Sequence, residues 1–405
     1  MKVEEYPKLR HGLEALPVEH QGRTMILVRD QWGLSGSTLL FSPPTAQLLN
    51  HMNGRNSLRD LQACHARLTG ELLYMEQLEE VLRHLDESLF LENDRFIRAS
   101  MEQVVRFQRD PLRRMMHAGK SYSSEPQELG KLLDSFFLPE NQGPGVPSGS
   151  KRGKIWGIVS PHIDINAGGP SYAHVYKTIL ESHGPQTWVI LGTGHNAVDN
   201  YLAVTLKDFE TPFGNVPCDR DYGTRLLERA PRDLLASEYS HHREHTIEFQ
   251  ALFLGRYLPG TRLVPILCSF SLEDWERDQG YLDELSQLLW ELGESHDTSV
   301  GFMASVDLAH IGPRYGDGFR PGDGHVSRHL SADLELLKTL EDTDAAGFMK
   351  KLGEERNSRR ICGMAPLYVL ARVLEGRARG RTLHHGHAVV DPHGSFVTFA
   401  GMAFQ

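Results

Sequence analysis

Val159–Gly169 reads VSPHIDINAGG. An apolar run, KIWGIVS (154–160), stops here, and His162 stands where it gives way to a glycine-rich loop. A turn needs only glycine, proline or a short polar residue to redirect the chain. A histidine adds a side chain that titrates near neutral pH and ligates metals. The question is whether other strands end the same way, and they do. TWVILGTGH (187–195) ends at His195, and VGFMASVDLAH (300–310) ends at Asp307 and His310. In open α/β sheets, ligands bind beyond the carboxyl ends of the strands. Side chains from three distant segments are therefore expected at one crevice. Glu244 and His245, in HHREHTIEFQ (241–250), open a helical segment and are expected to join them.

The rest of the second part of the chain fits such a sheet. Apolar runs of strand length alternate with longer amphipathic segments from about Lys154 onward, the pattern of a sheet covered by helices on both faces. GPSYAHVYKTILES, HTIEFQALFLGRYL, DELSQLLWELGES and PLYVLARVLEG read as helices, and RLVPILCS as a further strand. RTLHHGHAVVD and SFVTFAGMAF close the chain as a hairpin about the turn DPHG. The predicted class is α/β, with a central mixed sheet.

Residues 1–108 read as a separate, small α+β domain, with the second domain at 109–405. MILVRDQWG and TLLFSP are short strands, and PPTAQLLNHMNG is a helix stopping at Gly54. Ser57 caps LRDLQACHARLTG, and MEQLEEVLRHLDESLF has Leu78, Val81, Leu82, Leu85 and Leu89 on one face. FLEND is expected as a return strand. Two strands with three short helices predict a winged-helix-like module. NGRNSLRDL followed by the leucine-rich helix resembles the small peptide-chaperone-like domains of the PqqD type; a generic helical accessory domain fits the same pattern.

Bulk properties narrow the function. A net charge of -10 argues against a nucleic-acid footprint, which needs clustered Lys and Arg. No apolar run approaches the roughly 18 residues of a membrane span. The four cysteines, Cys64, Cys218, Cys268 and Cys362, make no C-x-x-C pair, and the amino-terminal segment has no apolar signal-peptide core; a reducing, cytoplasmic setting is expected. There is no G-x-G-x-x-G, P-loop or G-x-S-x-G pattern. His241 and His242 read as solvent-exposed. His384, His385 and His387 alternate along a strand, as a weak metal site or a plain surface.

Imidazoles with a thiolate or carboxylate suit Fe, Zn, Cu or Ni. Cys362, in RRICGMAPLYVLARVL, precedes a helix, whose amino terminus stabilises a thiolate. Each residue alone has a plain structural reading: a hydrogen-bonded loop histidine, a buried small cysteine, an aspartate cap. The repetition at three strand ends favours a site.

HAGKSYSSEPQEL, SPHIDINAGGPSYAHVYK, ILGTGH, FETPFGNVPCD, EHTIEFQALFL, SVDLAH and ICGMAPLYVL occur in that order. Together, over about residues 110–405, they resemble the Memo family, whose fold is similar to class III extradiol dioxygenases. The resemblance implies metal ligation by His162, His195 and Cys362. It places Asp307 and His310 near the metal, and the expected roles are His310 as general acid/base and Asp307 as the group that orients it or accepts its proton, with Glu244 and His245 lining the pocket as further catalytic candidates. It implies a divalent metal, Fe(II) first, with Cu or Zn as alternatives. The expected function is a non-haem iron oxygenase-like or redox enzyme with a small aromatic or phenolic substrate, in a system with radical SAM and AMMECR-type proteins. A non-catalytic adaptor that binds a peptide in the same crevice is the alternative. Related dioxygenases use two histidines and a carboxylate, so the cysteine departs from that set, and HIDINAGGP departs from the family's usual first loop.

Overall fold

The computed structural model describes residues 4–30, 33–196 and 198–405. The chain divides into two compact units, Met1–Arg109 and Asp110–Gln405.

The first unit has a three-stranded antiparallel sheet, β1 (Leu13–His20), β2 (Arg23–Asp30) and β3 (Thr38–Phe41), in that order. Four helices follow: α1 (Pro43–Leu49), α2 (Leu58–Thr69), α3 (Met75–Glu87) and α4 (Asp94–Arg109). Ser57 caps α2 through a reciprocal capping box with Asp60, and Gly70 ends it in the left-handed conformation. Leu61, Leu78, Leu82, Leu85 and Phe90 are buried in one core. Two expectations are corrected. The expected return strand FLEND makes a single bridge at Leu91, and the chain then enters α4. β1 adds a strand that carries Pro17; as an edge strand it tolerates proline, which has no N–H to give a second neighbour. Gln31 and Trp32, at the end of the expected MILVRDQWG strand, lie outside the described residues.

The second unit begins with β4 (Leu112–Arg113) and α5 (Pro126–Ser135). It then runs β5 (Gly157–Ser160), α6 (Ile165–Leu180), β6 (Thr187–Thr193), β7 (Leu202–Val204), β8 (Asp208–Phe209), α7 (Arg220–Arg229) and α8 (His245–Tyr257). After these come β9 (Arg262–Cys268), α9 (Leu272–Glu294), β10 (Val300–Ser305), β11 (His310–Ile311), α10 (Asp323–Glu341), α11 (Ala345–Glu354) and α12 (Met364–Leu374). The strands β12 (Gly380–Val389) and β13 (Phe396–Phe404) complete it.

The main sheet has the order β11-β13-β5-β10-β6-β9-β7, with β12 also paired to β13. β5, β10, β6 and β9 are parallel; β7, β11, β12 and β13 join antiparallel, so the sheet is mixed. Side chains alternate between two apolar layers. Val159, Leu191 and Ala304 face the core shared with α7, α9 and α12, whereas Ile158, Ile190 and Met303 face that of α5, α6 and α8. Both faces are covered, which is why these strands read as unbroken apolar runs.

The expected glycine-rich loop after His162 is instead the first turn of α6. Asp164 caps it by accepting from the Asn166 N–H at 3.0 Å, and Pro170 lies inside the helix. The glycines serve packing: a Cβ on Gly169 would lie 2.4 Å from the Phe136 ring. Among the described residues no helix is long and apolar enough to cross a membrane.

Candidate metal centre

The parallel strands deliver their carboxyl ends to one place. His162 follows β5, His195 follows β6, and Asp307 follows β10. Glu244 and His245 open α8 from one face of the sheet, and Cys362 precedes α12 on the other. The donor atoms of His162, His195 and Cys362 lie within 4.8 Å of one another, as do those of His195, Glu244 and His245. The Cys362 Sγ is 3.5 Å from His162 Nε2.

Each ring is aimed by its other nitrogen. His162, almost fully buried, places Nδ1 2.9 Å from the Ser305 carbonyl. His195 places Nδ1 3.0 Å from Glu244 Oε1, and its backbone N–H donates to the same carboxylate at 2.9 Å. With Nδ1 of His162 carrying the proton, its Nε2 presents a lone pair to the crevice; His195 aims its Nε2 the same way and gives up the proton there on ligating a cation. Glu244 is the cap of α8, accepting from the His245 and Thr246 N–H groups, and lies 3.2 Å from His245 Nδ1. One buried carboxylate thus holds a helix end and two imidazoles. The His195 and His245 rings stack at 5.0 Å, and both stand near His162.

The electrostatics follow from this crowding. Burial, with His195 and His245 alongside, pushes His162 well below its ordinary value, so it is neutral. Burial opposes charge on His195, yet hydrogen bonds to Cys362 and Glu244 raise it to about 11. Burial also works against the Glu244 carboxylate, but the two histidines hold it well below the usual range. Burial raises Asp307 to about 7, against amide hydrogen bonds from His162 and Ile163 at 3.1 and 3.2 Å.

Two expectations change here. Burial pushes the Cys362 thiol up, with His195 pulling the other way; without a cation, the helix end does not make a thiolate of it. Asp307 does not orient His310: its carboxylate faces the His162 amide, with Oδ2 3.6 Å from His162 Nε2. His310 Nδ1 is instead 3.0 Å from the Leu308 carbonyl, its ring stands edge-on to Tyr315 at 4.9 Å, and burial lowers its pKa.

Other histidines are corrected too. His241 is buried, with Nε2 2.9 Å from the Ala203 carbonyl, and His242 is half-buried. His384 stacks on His174, and His385 meets the buried Asp333 at 3.3 Å; among the described residues neither belongs to a metal-ligand cluster.

Sequence reasoning missed the support behind the site. Arg113, buried in β4, donates to the carbonyls of His241 (2.7 Å) and Glu244 (2.6 Å) and pairs with Glu248. Glu248 also accepts from Tyr122 Oη (2.5 Å) and the His117 N–H (3.0 Å). The His117 ring lies 5.7 Å from His245. Nothing in residue type marked these groups. Arg113, His117 and Tyr122 fall in the HAGKSY stretch and its flank, whereas Glu248, the partner of Arg113, lies 135 positions further on.

The sequence also matches known proteins. A family profile described as Memo-like protein matches residues 113–403. A MEMO1 family protein of Aquifex aeolicus is 28% identical over 380 residues, covering 93% of this chain and 95% of its own. A MEMO1 family protein of Methanopyrus kandleri is 28% identical over 301 residues, 71% of this chain and 97% of its own. One from Methanococcus maripaludis is 34% identical over 208 residues, 49% of this chain and 69% of its own. The profile lies within the second unit, whereas the Aquifex alignment is too long for that unit alone. With a profile match across most of its length, the chain belongs to the Memo-like protein family.

Proposed function

We propose that this chain is a metal-dependent redox enzyme of the non-haem oxygenase type, acting on a small aromatic or phenolic substrate, with His162, His195 and Cys362 holding the ion. The observation that carries the reading is the convergence of these three donors, within 4.8 Å, from three separate elements. The donor set fits a metal on chemical grounds. Both imidazoles are fixed with Nε2 inward, and a separation of 3.5 Å between Sγ and Nε2 suits ligands about 2.0–2.3 Å from a shared ion. When bound, Fe(II) would supply redox and Lewis-acid chemistry at its open positions, and copper or zinc also suits these ligands.

The chain's own groups supply proton handling. His310 is kept neutral by burial, and its Nδ1 contact with the Leu308 carbonyl leaves Nε2 as a base. Asp307, poised near neutrality beside His162, exchanges a proton without leaving its amide donors. His245, steadied by Glu244, is the second base. Radical SAM and AMMECR-type partners belong to the same proposal, with co-purification as their test. The clustered imidazole rings of His162, His195 and His245 support the second reading, a peptide- or protein-binding adaptor without turnover.

The test is the metal content of protein purified without oxygen, for wild type, His162→Ala and Cys362→Ala. About one ion per chain in wild type, lost in both variants, is expected, together with oxygen uptake on adding phenols. Wild type without metal, and taking up none from added Fe(II), overturns the redox reading and favours the adaptor.

A further inference from the structure

We propose that the cavity between the Arg356–Cys362 loop and the start of α9 is the subsite for the anionic group of a small organic substrate, with Arg356 as its cation. The inference rests on the redox reading to the extent that it takes the neighbouring crevice as the reaction site.

The cavity has a volume of about 410 Å³ and is lined by Cys362, one of the three candidate ligands, and by Gly194, which precedes His195. That volume suits a small molecule. Its wall is mixed: Phe270 and Met364 are apolar, Ser269 carries a hydroxyl, and Arg356 and Arg360 bring charge. An apolar wall with a few convergent polar groups is how a protein holds an organic body and orients its charged end.

The two arginines are not equivalent. Arg360 is committed: it binds Asp317 through both terminal nitrogens, at 2.6 and 3.2 Å, and reaches the His310 carbonyl at 3.1 Å. Arg356 has no carboxylate within ion-pair distance among the described residues. Glu273 is the acid on the cavity wall, and it forms no ion pair with Arg356. Arg356 is exposed and lines the cavity, so its guanidinium can meet a ligand from solvent.

The backbone sharpens the point. α11 ends by turning left-handed at Arg356 (φ 50°) and Asn357 (φ 46°), closing the helix through bonds to Gly353 and Leu352. Glycine is the ordinary residue for such an ending, and asparagine tolerates it. An arginine there carries a conformational cost that ending the helix does not require. The loop is also fixed. Asn357 Oδ1 accepts from the Ile361 N–H at 2.9 Å, and the buried Arg359 is tied to Glu355 and Asp333. Arg356 is therefore presented to the cavity from a held backbone. A guanidinium so placed suits the paired oxygens of a carboxylate or phosphate.

The test is calorimetric titration of the full chain with 4-hydroxybenzoate, phenyl phosphate and neutral 4-hydroxybenzyl alcohol. Wild type is compared with Arg356→Gln and Arg356→Gly; the glycine variant suits the left-handed backbone and so removes the charge without added strain. Both variants are expected to weaken binding of an anion roughly tenfold and to leave the alcohol unchanged. Loss confined to the carboxylate or to the phosphate supports the subsite and names the group it takes. Equal anion binding in wild type and variants, or binding of the alcohol alone, or of none of the three, overturns it. Metal content measured on the same preparations separates the two proposals. Arg356-dependent anion binding in a chain that takes up no metal keeps the subsite and removes the redox reading. Normal metal and oxygen uptake with Arg356 of no consequence does the reverse.

Discussion

Arg113→Met is the sharpest test of how the metal centre is built. Arg113 and Glu248 are each about 1% exposed at the side chain, and their ion pair sits behind the Glu244–His245 corner. Methionine fills much of the volume but leaves the Glu248 carboxylate buried without its cation. It also strips donors from the carbonyls of His241 and Glu244. Breaking a buried pair costs about 3–5 kcal/mol, so a loss of about 4 kcal/mol is expected. Burial raises the Glu248 carboxyl, and Arg113 leads the groups that pull it down. In the variant that carboxyl titrates higher, so the folded state holds a proton that the unfolded state releases, and part of the loss is relieved as pH falls. Adding Glu248→Gln keeps an acceptor for Tyr122 and His117 while removing the charge, and is expected to recover about 2 kcal/mol. The assay is urea unfolding followed by circular dichroism. Arg83→Met, an exposed ion-pair residue of the first unit, serves as the control and is expected to change stability by less than about 1 kcal/mol. Metal retention is read on the same proteins. Because Arg113 still no longer holds the Glu244 carbonyl, the double variant is expected to regain stability yet bind metal roughly tenfold more weakly than wild type. A single-variant loss below about 1 kcal/mol, or one no larger than that of the control, would refute the reasoning.

Three further outcomes follow from the same geometry. Gly192→Ala places a Cβ 2.6 Å from Thr246 Oγ1 and 2.7 Å from Ile247 Cγ1, so it must push back the start of α8; a loss of about 1–3 kcal/mol in thermal unfolding, with weaker metal retention, is expected. His241, lowered by burial to about 4, stays neutral in the folded chain while its unfolded form protonates near 6.5. Stability should therefore fall as pH drops from about 6.5 toward 4, by up to about 3 kcal/mol from this residue. His241→Gln, which keeps a donor for the Ala203 carbonyl, should flatten that part of the pH profile, with His242 and His384 retaining theirs. Glu244→Gln should loosen His195 and His245 together, lowering metal affinity roughly tenfold while the fold, read by circular dichroism, persists.

The sheet was readable in the chain because its strands are apolar on both faces, and the runs ending at His162, His195 and Asp307 need no partner to be recognised. The first unit was harder. Pro17 hid β1, since only the edge position makes it acceptable, and α4, which closes the first unit, was not among the expected helices. The glycines of NAGG signalled a loop, but their small size answers to Phe136, a contact no local pattern carries. Composition and order of motifs thus determined the α/β class, the residues brought to the strand ends and the family. Tertiary structure alone decided that Asp307 serves the His162 amide rather than His310, that His241 is buried, and that Arg113 and Glu248 brace the site. The reason is physical. Apolar periodicity is a local property of the chain, whereas a hydrogen bond or ion pair between distant residues exists only once packing excludes water and leaves each buried polar group to find a partner.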